Sequence, residues 1–202
     1  MEVFYCDISK VNISDINLSL ISKERLAKAN DYNTRIKKIQ SLVSYLLLRY
    51  VFLKRSIDIL NYEFSYNLYG KPSLSGVNYD FSISHSNNIV AVIVDEDFLG
   101  LDIEMIDYKK DLTKLQRVLT KEELEEYSGL STTKQKEYFY GKWVMKEAHF
   151  KMLGIGYKKE LNSLNLSYKL KYINDTFNNQ YIISSTVNDF TVIEVEFNDI
   201  NR

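Results

Sequence analysis

Residues 100–104 read Gly-Leu-Asp-Ile-Glu and follow an apolar run. Because successive side chains of a strand point to opposite faces, they predict a strand with Asp102 and Glu104 on one face and Leu101 and Ile103 on the other. Neighbouring carboxylates repel each other unless a cation, a donor or a shared proton compensates them. A magnesium ion would do so, since it takes carboxylate oxygens together with substrate phosphates. A solvated edge strand explains the same pattern, so the pentapeptide alone leaves both interpretations open.

The composition is that of an ordinary globular protein. The chain has 202 residues, of which 45% are hydrophobic and 26% charged, enough for one sizeable core or two small halves. Its formal net charge is −1, so no global positive field indicates a nucleic-acid partner. Cys6 is the only cysteine and His85 and His149 the only histidines, which argues against a disulfide framework and a cysteine- or histidine-rich metal centre.

Neither a targeting signal nor a membrane span is expected from the sequence. The chain starts with an acidic residue at its second position and lacks a long apolar segment there. The most apolar stretch, residues 42–53, is interrupted by Arg49 and is shorter than the about 20 apolar residues of a bilayer span. We therefore expect a buried helix, no membrane partner and a cytoplasmic location.

The first part of the chain predicts a strand at residues 2–8 and two helices. Ser22 is positioned to cap a helix that contains Arg25 and Lys28, and a longer helix is predicted over residues 35–60. Arg25 and Lys28 are three residues apart and therefore share a helix face. A solvated face is the simpler explanation of that pair.

A turn and a hairpin follow. A strand at 64–69 is stopped by Gly-Lys-Pro at 70–72, which presents Lys71. Strands at 79–84 and 89–94 are joined by residues 85–88, which places Ser84 and His85 at the hairpin tip. A histidine flanked by hydroxyls suits phosphate oxygens, although an ordinary polar turn fits as well.

A serine-histidine hydrolase is a weak alternative for the same hairpin. The Gly-x-Ser-x-Gly elbow is absent. Ser84 and His85 are also adjacent, and consecutive strand side chains diverge, so the two groups would not converge as nucleophile and base.

The second part predicts helices at 111–119, 120–128 and 134–153, the second opened by a capping box of Thr120 and Glu123. Strands at 164–172, 182–187 and 191–197 follow as a meander with one buried face. Each half thus combines helices with antiparallel strands, an α+β arrangement. The acidic run at 95–97 predicts a division into residues 1–97 and 98–202.

The long helix predicted over residues 134–153 has two distinct faces. Phe139, Trp143 and Phe150 recur at helical spacing and predict a buried stripe. Beside it lies a face that includes Glu147 and Lys151, which are four residues apart and could simply pair with each other. The alternative is that Glu147 completes a three-carboxylate magnesium site while Lys146 and Lys151 meet phosphate.

Four motifs together resemble the 4′-phosphopantetheinyl transferases of the surfactin-synthetase-activating type. The motifs are Gly-Lys-Pro at 70–72, Phe-Ser-Ile-Ser-His-Ser at 81–86, Gly-Leu-Asp-Ile-Glu at 100–104, and residues 139–151 from Phe-Tyr through Trp, Lys-Glu and the final lysine. Their order and spacing match over nearly the whole chain. The sequence departs from the family pattern at Ser82, where asparagine is more common, and at Asn87 and Asn88, which replace a glycine and an aromatic residue.

The resemblance implies two similar α+β halves related by a pseudo-twofold axis, with coenzyme A in the cleft between them. It implies Asp102, Glu104 and Glu147 as magnesium ligands. Coenzyme A would be bound by Arg25, Lys28, Ser41, Lys71, Ser84 and His85, the 3′-phosphate by His85 and the basic residues of the first helix. The resemblance further implies catalytic roles for Glu147, Lys151 and Lys146.

The implied reaction moves phosphopantetheine from coenzyme A to a serine of an apo acyl or peptidyl carrier protein and releases adenosine 3′,5′-bisphosphate. We expect a monomer, since the two halves supply the interface that smaller relatives build by oligomerising. A non-catalytic coenzyme A- or carrier-binding module of the same fold is the alternative. Another phosphoryl-transfer class lacks support, because no Gly-x-x-x-x-Gly-Lys-Ser/Thr loop is present.

Overall fold

The computed structural model describes residues 1–156 and 161–202 as a mixed α+β fold. Its elements in chain order are β1 (Glu2–Asp7), α1 (Lys23–Asn30), α2 (Arg35–Leu53), β2 (Phe64–Tyr66), β3 (Pro72–Leu74), β4 (Asp80–Ser86), β5 (Ile89–Asp95), β6 (Leu101–Met105), α3 (Lys121–Ser128), α4 (Thr132–Leu153), β7 (Leu170–Asn174), β8 (Gln180–Ser185), β9 (Thr191–Glu194) and α5 (Phe197–Ile200). The predicted fold class is confirmed, whereas the pseudo-twofold relation stays a prediction. Within the described ranges, no helix is both long and apolar enough to cross a membrane.

A four-stranded sheet with order β4-β5-β1-β9 forms the first layer. β1 runs antiparallel to β5 and parallel to β9. Helix α2 packs on this sheet, and its residues 39–48 are all buried because most of them are apolar. Burial of these residues contributes hydrophobic stabilisation to this layer.

A three-stranded antiparallel sheet with order β6-β8-β7 forms the second layer, and α4 packs against β6 and β8. Gly100, just before β6, lies directly against this helix: a Cβ at that position would fall 1.8 Å from the Ala148 backbone oxygen and 2.6 Å from the Met152 backbone nitrogen. Only glycine permits this approach. The start of the acidic strand is thereby held against the turns of α4 that carry Glu147 and Lys151.

Several predicted boundaries were wrong. Helix α2 ends at Leu53 instead of residue 60, because Ser56 takes a left-handed φ of 59° and the Ile57 N–H donates to the Phe52 oxygen. The predicted helix at 111–119 contains only a short 3₁₀ turn, Gln116–Val118. Helix α4 begins two residues earlier than predicted, at Thr132.

The predicted meander of the last three strands is wrong, because β9 pairs with β1 in the first sheet and not with β7 or β8. The strand predictions also need correction at their ends. His85 and Ser86 belong to β4, so the hairpin turn consists of Asn87 and Asn88 alone. β2 ends at Tyr66 instead of residue 69, and β7 begins at Leu170 instead of residue 164. In both cases the alternation of apolar and polar residues extends past the residues that pair with a neighbouring strand.

The two-part division at residue 97 stays a prediction, and the last elements cross it. β9 pairs with β1, and Val195 and Ile200 are buried in the core beneath α2. The first sheet therefore includes residues from both ends of the described chain.

Candidate active site

β4, β6 and α4 bring three of the predicted site residues into direct contact. The Lys151 ammonium donates to Asp102 Oδ1 at 2.7 Å and to Ser84 Oγ at 2.9 Å. Ser84 Oγ also donates to the same Asp102 oxygen at 2.8 Å. Asp102 is buried, and its charge is compensated by Lys151. Lys151 therefore pairs with Asp102, and not with Glu147 as the helix spacing alone suggested.

Glu104 lies on the same face of β6 as Asp102, which confirms the predicted alternation. Ser86 Oγ donates to Glu104 Oε2 at 2.8 Å, and the Trp143 side chain is a second hydrogen-bond partner. Burial and the neighbouring Asp102 carboxylate raise the pKa of Glu104, against the opposing effects of Ser86 and Lys151. The predicted acidic face is thus enclosed and hydrogen-bonded, not a solvated edge.

Glu147 faces the same group of charges from α4. Burial, followed by the Asp102 and Glu104 carboxylates, raises the pKa of Glu147 to about 7, while Lys151 acts in the opposite direction. A carboxyl group with a pKa near neutrality can accept or release a proton under ordinary conditions.

The carboxylate oxygens are ligands of the chemical type that a hard divalent cation such as magnesium binds. Asp102 Oδ2 is buried and has no hydrogen-bond partner among the described residues, and the three carboxylates of Asp102, Glu104 and Glu147 disfavour one another's charge. Oxygen donors of this type are those that magnesium prefers. They do not form a ready-made cage: within residues 1–156 and 161–202, no three His, Cys, Asp or Glu side chains are grouped so that they could hold a metal.

A cleft of about 300 Å³ opens beside these groups and is lined by Lys71, Ser82, Glu147, Phe150 and Lys151 among others. Lys71 lines this cleft, but its ammonium is already engaged, with Asp80 Oδ2 at 2.6 Å and the Met152 oxygen at 3.3 Å. The charge of Lys71 therefore holds the last turn of α4, where a cation is favourable, and joins it to β4.

The basic residues of α1 lie over aromatic rings. The Arg25 guanidinium is 5.9 Å from the Tyr45 ring centroid, and the Lys28 ammonium is 4.6 Å from that of Tyr66. In the part of the chain that the structure describes, neither cation forms an ion pair with a carboxylate. Ser41 precedes Tyr45 by one turn of α2, and its hydroxyl is buried without a hydrogen-bond partner among the described residues. These groups lie where α1 packs against α2.

His85 points away from Ser84 across β4, and part of the residue is exposed to solvent. Burial of the rest of its imidazole and the nearby Lys151 ammonium lower the pKa of His85, and Lys37 contributes in the same direction. Lys37 was not among the predicted residues. It is four residues before Ser41 on α2, and this spacing is the sequence signal that would have found it.

Lys146 does not belong to this site, and its predicted place beside phosphate is wrong. Its side chain is fully buried, and its ammonium donates to Glu123 Oε2 at 2.5 Å and to the Val118 oxygen at 2.8 Å. Consecutive helix residues point about 100° apart, so Lys146 and Glu147 face different neighbours. Burial lowers the pKa of Lys146, and the Glu123 carboxylate opposes that shift.

Comparison with known proteins identifies the family. A family model described as the 4′-phosphopantetheinyl transferase superfamily matches residues 98–199, half of the chain. The protein belongs to this superfamily. The family resemblance drawn from the four motifs is thereby confirmed, while the roles of individual residues stay predictions.

Two similar proteins are named 4′-phosphopantetheinyl transferases, and a third is named a carrier-protein synthase. The 4′-phosphopantetheinyl transferase ffp of Bacillus subtilis is 29% identical over 155 residues, which cover 76% of this chain and 69% of the relative. The transferase Sfp of Bacillus subtilis strain 168 is 29% identical over 74% of this chain and 67% of its own length. A holo-[acyl-carrier-protein] synthase of Lactococcus lactis is 38% identical over 76 residues, 35% of this chain and 64% of that protein.

The departures of this superfamily member from the motif pattern have structural explanations. Asn87 occupies the position of the common glycine and takes a φ of 43°, a left-handed conformation that asparagine tolerates. Asn88 donates its side-chain amide to Asp175 Oδ2 at 3.0 Å, which fixes the hairpin to the turn between β7 and β8.

Proposed function

We propose that the protein transfers the 4′-phosphopantetheine arm of coenzyme A to a serine hydroxyl of an apo carrier protein. The observation that best supports this is that Lys151 and Glu147 line one cleft, with Lys151 hydrogen-bonded to Asp102 and Ser84 behind it. A lysine beside clustered carboxylates, one of them with a pKa of about 7, provides both a cation for a phosphate and an acceptor for a proton.

The side chains of the site account for each bond and each proton of the proposed transfer. The serine oxygen of the carrier forms a bond to the phosphorus nearest the pantetheine, and the bond from that phosphorus to adenosine 3′,5′-bisphosphate breaks. Glu147 accepts the serine proton, either directly or through a water molecule. The Lys151 ammonium has three N–H donors, two of which serve Asp102 and Ser84, so the third can donate to a phosphate oxygen and stabilise developing charge.

We infer that Asp102, Glu104 and Glu147 hold a magnesium ion. The buried, unpartnered Asp102 Oδ2 and the mutual repulsion of the carboxylates support this assignment. The ion would neutralise charge on the pyrophosphate. Ser84 and Lys151 orient Asp102 from the opposite oxygen.

The direct test is incubation of the full chain with coenzyme A, magnesium and a panel of apo acyl and peptidyl carrier proteins. We expect at least one carrier to gain the mass of one phosphopantetheine at its serine, and the gain to disappear with a chelator. A folded protein that modifies none of the carriers would contradict the proposal. Binding of coenzyme A without transfer would instead favour the non-catalytic module.

The α1 cations give a separate prediction about substrate binding. Replacing Arg25 or Lys28 with Gln removes a charged donor, so we expect the KM for coenzyme A to rise roughly 10-fold or more with a smaller effect on kcat. Dephospho-coenzyme A, which lacks the 3′-phosphate, is the control substrate. If the variants and the parent differ as much with it as with coenzyme A, these cations do not bind the 3′-phosphate.

The partners of the protein follow from the same proposal. Coenzyme A and a carrier protein are its two substrates, and no nucleic acid or membrane is required. The monomeric state, the cytoplasmic location and the division at residue 97 remain predictions from the sequence.

A further inference from the structure

β4 and β6 belong to different sheets, and serine side chains connect them. The alternate residues Ser82, Ser84 and Ser86 of β4 each accept one backbone N–H of β6 through the side-chain oxygen. The three contacts are Leu101 N to Ser82 Oγ at 3.0 Å, Ile103 N to Ser84 Oγ at 3.3 Å and Met105 N to Ser86 Oγ at 3.1 Å. We call this row the serine ladder. It satisfies alternate N–H groups of the acidic strand, which would otherwise lack partners on that side.

Two residues of the serine ladder form a second hydrogen bond. Ser84 and Ser86 also donate, to Asp102 Oδ1 and Glu104 Oε2, both at 2.8 Å. A hydroxyl can accept and donate at the same time, so each oxygen is fixed by the β6 backbone while its proton orients a carboxylate. Ser82 makes the backbone contact but contacts neither carboxylate.

We propose that Ser86 is a positioning residue for the metal and pyrophosphate site, acting through Glu104. This inference rests on the proposed function. Ligand carboxylates are oriented by hydrogen bonds from outside the coordination shell, and loss of such a partner weakens metal affinity. Ser86 tests the idea cleanly, because Ser84 also contacts Lys151 and its replacement would disturb two groups.

The experiment compares Ser86→Ala, Ser86→Thr and Ser82→Ala in the full chain, with Mn²⁺ as a spectroscopic probe of the site. For Ser86→Ala we expect Mn²⁺ affinity, measured by electron paramagnetic resonance, to fall roughly 10-fold or more. Ser86→Thr keeps the hydroxyl and should recover most of it. Ser82 lines the cleft but contacts neither carboxylate, so Ser82→Ala is a control for metal affinity only and should bind Mn²⁺ nearly as the parent does. Its melting temperature without metal should fall by roughly 3–9 °C because a buried N–H loses its partner.

The outcomes distinguish two roles of Ser86: orienting the Glu104 carboxylate, or only connecting β4 to β6. Parent-like Mn²⁺ affinity in Ser86→Ala would overturn the proposal, and so would an equal loss of affinity in Ser82→Ala. Absence of Mn²⁺ binding by the parent would also overturn it. The carrier assay tests the proposed function independently, since transfer by the parent can be observed whatever the serine variants do.

Discussion

Replacing Glu147 with Gln is expected to reduce phosphopantetheine transfer by at least ~10³-fold without lowering stability. The substitution removes the group whose pKa is about 7 and one of three proposed metal ligands. It also removes a carboxylate that burial and the charges of Asp102 and Glu104 disfavour, so the melting temperature without metal should stay unchanged or rise. Single-turnover transfer to a carrier and thermal unfolding of the same preparation measure both effects.

Glu137→Gln is the matched control, since Glu137 lies on the same helix and its carboxylate contacts the exposed Tyr108 hydroxyl. We expect parent-like transfer from this variant. A folded Glu147→Gln protein with near-parental turnover would show that Glu147 neither accepts the proton nor binds an essential ion.

Lys146→Met is expected to destabilise the protein by about 3–5 kcal/mol, because it leaves the buried Glu123 without its closest cation. The Val118 oxygen also loses a donor. Denaturant unfolding of the metal-free chain measures the loss. Under conditions in which the variant is folded, its KM for coenzyme A should stay near that of the parent, because the ammonium lies outside the cleft.

The double variant Lys146→Met, Glu123→Gln tests the cause of that loss. Gln can still accept the Thr120 N–H that Glu123 accepts at 2.9 Å, so the start of α3 stays capped. Removal of both charges should recover much of the lost stability. A Lys146→Met protein with parental stability and no transfer would restore the catalytic interpretation of this lysine.

The sequence contained the information needed to place Lys146. Phe139, Trp143, Lys146 and Phe150 follow one another at spacings of four, three and four residues, so Lys146 falls on the predicted buried stripe. The motif resemblance instead grouped Lys146 with its neighbour Glu147, and the positive charge of the lysine then suggested a phosphate contact. Helical geometry separates the two faces, and it favours burial for Lys146 and the cleft for Lys151.

The alternation at β6 was sufficient to predict a strand with both carboxylates on one face. It could not reveal that Lys151 lies on Asp102 or that serines of β4 hold both carboxylates, since these contacts join residues 18 to 49 positions apart. Local pattern also failed at the end of α2, where Ser56 adopts a left-handed conformation without glycine or proline to signal a stop. Such contacts and turns depend on tertiary packing.

The parallel pairing of β1 with β9 has a consequence for the order of folding. Glu2 is paired with Thr191, and Ile200 completes the core beneath α2. During synthesis the first sheet therefore lacks an edge strand and part of its core until nearly the whole described chain has emerged from the ribosome. Contacts of such long sequence separation slow folding and leave a strand edge open meanwhile. The nascent first half is expected to depend on chaperones or on rapid completion of synthesis.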